Sequence, residues 1–143
     1  MVSRHRMISC VVVGVFVLGV YAGRSSVARA QEGRKVFELR TYTAADGKLR
    51  TLSNRFRDRT LTLFKKHGMS TIGAWIPTDV PQSANTLVFL MAWPSRETAD
   101  KTWQEFGDDP EWKALVAETE GDGRLWSKLD RLWLSATEYS PLK

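Results

Sequence analysis

Glu38, Arg40 and Tyr42 stand two residues apart in the segment Val36 to Thr43 (VFELRTYT). In an extended chain, residues at that spacing share one face. The trio can therefore act together on a ligand. Arg40 offers a fork for a carboxylate or other oxyanion, Tyr42 a hydroxyl donor, and Glu38 an orienting group or base. If that face lines the interior of a barrel, the three lie among apolar walls, where a Glu and an Arg need each other or a ligand. The simpler account of the same pattern is a structural ion pair that fixes strand register or dimer contacts. Six tryptophans are many for 143 residues. Trp103 and Trp112 fit a helix–sheet core, whereas Trp75 and Trp93 are the ones placed to offer flat apolar surface to a ligand. The candidate ligand-binding set is thus Glu38, Arg40, Tyr42, Trp75 and Trp93, with no residue assigned a catalytic role.

The rest of the reactive inventory is sparse. His67 is the one histidine outside the first thirty residues, and its place beside Gly68 at a helix end explains it as well as chemistry does. No second histidine, cysteine, H-x-x-E or D-x-D spacing accompanies it, so neither a metal nor another cofactor is expected. Glycine-rich phosphate loops, G-x-S-x-G and paired-carboxylate motifs are likewise lacking from the sequence.

The elements that must position these residues follow from periodicity. Val36–Thr43 alternates as a strand, with Phe37, Leu39 and Thr41 opposite the trio. From Lys48 to Lys66 the spacing turns helical, with Leu49, Leu52, Phe56, Thr60, Leu63 and Phe64 in one stripe. Ser70–Pro77 reads as a second strand. Thr86–Trp93 (TLVFLMAW) is apolar on both faces and reads as a central one. Ser95 caps the next helix, and Asp109-Pro110-Glu111 opens another. A last strand runs from about Leu125 to Thr137. The order is βαββαβ with a split second helical region: an α+β, ferredoxin-like sandwich with a four-stranded antiparallel sheet. Helices cover one face of such a sheet. Trp75, Phe89, Met91, Trp93 and Trp133 must share both faces, so large apolar groups are expected on the uncovered one. That predicts a homodimer in which two sheets meet as a dimeric α/β barrel.

Composition adds an address. The formal net charge of +5 is misleading, because Arg4, Arg6, Arg24 and Arg29 lie in an acid-free stretch of residues 1–30. Without them 17 basic and 16 acidic residues remain, too even a balance for a nucleic-acid binder. A basic start, the apolar run Ile8–Ala22 and Ala28-Arg29-Ala30 read as a signal peptide cleaved before Gln31, leaving no stable membrane span. Uncleaved, the short uncharged stretch Met7–Gly23 would serve as an anchor. The domain then spans 31–143 in the periplasm or outside the cell. Cys10 falls in the leader, so the domain has no disulfide. The first helix is basic and the later ones acidic. Mutual neutralisation explains this more simply than contact with a membrane surface.

Several short segments together resemble the NIPSNAP family: Glu38-Leu39-Arg40-Thr41-Tyr42, His67-Gly68, Gly73-x-Trp75, Pro94-Ser95-Arg96, Asp109-Pro110-Glu111-Trp112 and Tyr139-Ser140-Pro141-Leu142. The resemblance implies a ferredoxin-like subunit of a dimeric α/β barrel and no particular reaction. Where many relatives place His or Tyr on the third strand toward the barrel interior, Phe89, Met91 and Trp93 stand here, which argues against acid–base chemistry on that strand. The expected function is a non-catalytic dimer binding a protein or a small apolar or anionic ligand. The alternatives are a cofactor-independent monooxygenase or haem-degrading enzyme of the same architecture, and a module acting through its basic helix at a membrane.

Overall fold

A computed structural model describes residues 34–143; the leader assigned to residues 1–30, with Cys10, lies outside them. The elements are β1 (Val36–Ala44), α1, β2 (Ser70–Trp75), β3 (Thr86–Trp93), α2 (Arg96–Asp108), α3 (Pro110–Thr119) and β4 (Trp126–Ser135). Helix α1 consists of Leu49–Arg55 and Leu61–Lys66, joined by a π-helical turn at Phe56–Thr60. The four strands form one sheet in the order β2-β3-β1-β4, with every pair antiparallel. This is the ferredoxin-like order, reached by the predicted βαββαβ sequence, and β3 is central as its two apolar faces require.

Local signals set the element ends. Gly68, at φ 68°, takes the left-handed conformation that stops α1. Ser95 Oγ accepts from the Thr98 N–H (3.1 Å) at the start of α2. Asp109 Oδ1 accepts from the Glu111 N–H (2.7 Å) at the start of α3, where Pro110 needs no partner. The basic α1 meets the acidic α3: Arg59 pairs with Glu118 (3.6 Å), Lys66 with Glu111 (2.7 Å), and Arg55 with Glu120 (2.8 Å). The opposite signs of these helices thus serve mutual packing.

The core lies between the helices and one sheet face. Leu52, Phe56, Leu63 and Phe64 of α1 close onto Tyr42, Leu87, Phe89, Met91 and Trp93, with Ala99, Phe106 and Leu115 from α2 and α3. Strand register then decides which β1 residues join this core. Glu38 stands opposite Met91, Arg40 opposite Phe89 and Tyr42 opposite Leu87, and directly opposed residues share a face. The Glu38–Arg40–Tyr42 face is therefore the one under the helices. Phe89, Met91 and Trp93, expected toward a barrel interior, are also beneath them. The other face presents Leu39 between Leu90 and Leu132, and Phe37 between Ala92 and Leu134. Helices leave it uncovered, and Leu132 is 56% exposed.

Candidate functional site

Glu38 lies at the bottom of the helix-covered face with no solvent exposure. Each of its oxygens meets two donors. Oε2 accepts from Trp93 Nε1 on β3 and Trp103 Nε1 on α2, both at 2.8 Å. Oε1 accepts from Arg40 Nε at 2.7 Å and pairs with Arg131 Nε of β4, also at 2.7 Å. A carboxylate has about four lone-pair sites, and all four directions are used here. The two guanidinium groups are fixed in turn. Arg40 stacks 3.5 Å from the centre of the Trp103 ring, and Arg131 lies 4.5 Å from that of Trp133 while Nη2 donates to Asp100 Oδ1 (2.8 Å). One carboxylate thus ties three strands and α2 together.

Tyr42 continues the same face two residues on. Its ring stacks on Phe89 (5.7 Å) and meets Phe56 and Trp126 edge-on. Burial pushes the phenol up from its ordinary value, and the nearby Arg40 and Arg55 charges only partly oppose this, so the hydroxyl stays protonated. Of the five candidates, Glu38, Arg40 and Trp93 are in direct contact and Tyr42 adjoins them. Trp75 stands apart. It is 52% exposed on the opposite, uncovered face, and its indole lies over Gly73, where an added Cβ would fall 2.7 Å from the ring.

Sequence reasoning did not single out Arg131 or Trp103 as members of this cluster. The signal for Arg131 is its alternation with Leu129 and Trp133 on β4; Trp103 falls on the inner side of α2, one turn before Phe106. It also missed Arg55, which is buried and donates from Nη1 to Thr119 Oγ1 (3.1 Å) and Glu120 Oε1 (2.8 Å), leaving Nε without a partner.

His67 belongs to a second cluster, at the junction of α1 and α3. Its Nε2 lies 2.6 Å from Asp109 Oδ2, which also pairs with Lys66 Nζ at 2.9 Å. Lys66 and His67 hold the Asp109 carboxyl far below the usual carboxylate range, so it is ionised and can only accept. The proton between them therefore sits on Nε2. Among the described residues no group of three or more His, Cys, Asp or Glu side chains is arranged to hold a metal ion, and no helix is long and apolar enough to cross a membrane.

The NIPSNAP family profile matches residues 37–141. The chain belongs to the NIPSNAP family. Solved structures of similar fold include a NIPSNAP family protein of unknown function from Agrobacterium tumefaciens (TM-score 0.66, 18% identity, covering 77% of this chain and 95% of that one). An uncharacterised NIPSNAP-like domain protein from Burkholderia xenovorans is comparable (TM-score 0.65, 19% identity, 76% and 90% covered). More distant is a monooxygenase from Streptomyces coelicolor in complex with nanaomycin D (TM-score 0.50, 11% identity, 77% and 94% covered). At these identities the likeness is one of fold. No curated protein matches the chain. The neighbours share the α+β fold of this NIPSNAP domain.

Proposed function

We propose that this NIPSNAP domain is a non-catalytic binding module that is exported and works as a homodimer, two copies meeting through the uncovered sheet faces. One observation carries the reading: Glu38 and Arg40 of β1 are spent inside the subunit, while Leu39 of β1, Leu90 of β3 and Leu132 of β4 lie side by side on the face the helices leave uncovered. With both Glu38 oxygens engaged, no lone pair remains for a base. In this reading Glu38, Arg40, Tyr42 and Trp93 are an internal brace that keeps the sheet and α2 rigid. Trp75, Leu39, Leu90, Leu132 and Leu134 form the pairing surface, with an aromatic residue of the kind that anchors interfaces. An apolar sheet face of this extent is costly to leave in water. Export rests on the leader pattern in residues 1–30.

The test is sedimentation velocity on the full chain and on Leu39→Glu. The wild type sediments as a dimer and the variant as a folded monomer, because pairing would bury each new carboxylate, unpaired, in the apolar seam. A monomeric wild type, or a variant that still pairs, overturns the reading.

A further inference from the structure

A cavity of about 610 Å³ lies between the last turns of α1 and strand β2, lined by Leu61, Lys65, Met69, Ser70, Thr71 and Ala74 together with Gly68 and Gly73. Its size falls within the range of small-molecule sites. Strand β2 ends the sheet, with β3 on one side only. A register irregularity between Thr71 and Gly73 bends the strand there. The cavity walls are apolar: Leu61, Met69 and Ala74. Among the described residues no acidic side chain lines it.

Two polar features are left unanswered. Thr71 Oγ1 has no hydrogen-bond partner among the described residues and is shielded from solvent, so a turn about χ1 must bring it into the cavity before a ligand can satisfy it. Among the described residues Lys65 has no carboxylate within ion-pair distance, whereas the other cations between Arg55 and Lys66 each have one: Arg55 with Glu120, Arg57 with Asp58, Arg59 with Glu118, and Lys66 with Asp109 and Glu111. A cavity with apolar walls, a spare ammonium, an unmet hydroxyl and no acid is complementary to an anion with an apolar body.

We propose that this cavity binds a small monoanionic amphiphile of the medium-chain carboxylate class, its head between Lys65 and Thr71 and its tail against Leu61, Met69 and Ala74. The proposal deepens the binding reading above and rests on it for the protein's being a binder. It does not rest on pairing, because one subunit supplies every lining residue.

The experiment is equilibrium dialysis of the full chain against radiolabelled decanoate below its micelle concentration, with decanol as the uncharged comparison. Decanoate binds once per subunit and decanol about tenfold more weakly. Lys65→Glu, at an exposed position, weakens decanoate by about tenfold or more, and Thr71→Val weakens it by several-fold, with the circular dichroism spectrum unchanged. Ala74→Phe fills the cavity and abolishes uptake. Leu39→Glu, which removes pairing, leaves uptake intact, so the two proposals fail separately. Absence of decanoate binding, or equal binding by wild type, Lys65→Glu and Ala74→Phe, overturns the inference. So does co-sedimentation with phosphatidylglycerol vesicles without decanoate uptake, which would give Lys65 to a membrane surface instead.

Discussion

At β1 the two faces of the sheet depart from the usual allocation of polarity. The face under the three helices holds the buried Glu38 and Arg40, with Arg131 reaching in from β4, and the face the helices leave open presents Leu39, Leu132, Leu134 and Trp75. Ordinary alternation puts apolar residues inward and polar ones outward. The departure is tolerable on the buried side because Glu38 has four donors at 2.7–2.8 Å. A carboxylate moved from water without them would cost several kcal/mol. On the outer side it is tolerable if a second sheet completes the core. A face can thus be buried by satisfying its charges internally, or left apolar and satisfied by a partner. β1 does the first with Glu38 and Arg40 and, in the proposed dimer, the second with Leu39.

The largest expected effect comes from breaking the satisfied side. Glu38→Gln keeps the volume but removes the charge that Arg40 and Arg131 share, and breaking a buried pair costs about 3–5 kcal/mol. Urea denaturation should show that loss with an unchanged slope. A loss under about 1 kcal/mol, the range of exposed pairs, would mean the network contributes specificity and not stability.

The converse test disturbs the outer side without touching the inner one. In Gly73→Ala the new Cβ meets the Trp75 ring at 2.7 Å and pushes the indole off its bed. The ring is the free end of an exposed side chain, so stability should barely move. The proposed pairing should weaken by about thirtyfold, as for loss of an interface anchor worth about 2 kcal/mol. Sedimentation equilibrium reads it; an unchanged dissociation constant would remove Trp75 from the pairing surface.

The alternation of VFELRTYT was legible, and so were strand order, caps and the pairing of oppositely charged helices. Which β1 face the helices cover was not. Polar groups at 38, 40 and 42 and apolar ones at 37 and 39 favour the wrong side unless the donors are known. Those donors come from 55, 65 and 93 residues further along the chain, at Trp93, Trp103 and Arg131. Burial of Glu38 is a long-range property that no local pattern encodes. The cavity at β2 escaped for a similar reason: Lys65 reads as one of many basic helix residues until each neighbour's partner is known.

A smaller effect separates the His67 cluster from the buried brace. Asp109 has a depressed folded pKa, so its contribution is present above the unfolded carboxyl value, about 3.9. It is lost as pH falls through the folded value. Asp109→Asn retains an N-cap acceptor but not the charge. The variant should be less stable than wild type at pH 7, and the gap should close as pH is lowered below about 4. Thermal melts across that interval check the sign. A gap that is constant with pH would show that the charge of Asp109 contributes nothing and that its role is the cap.

The smallest effect decides what holds α2 against the sheet. Ser95 caps the helix at its start, while Trp103 pins it through Glu38 two turns further on. Ser95→Ala removes the acceptor for the Thr98 N–H and should cost about 1 kcal/mol. The first turn frays in water and the tryptophan anchor stays in place, so the near-ultraviolet dichroism of Trp103 against Arg40 should persist. If Ser95→Ala instead matches the loss from Glu38→Gln and the tryptophan signal collapses, the cap holds the helix and the carboxylate follows it. The buried side of the sheet would then owe its order to helix placement, and the contrast between the two faces would lie in coverage and not in how their charges are met.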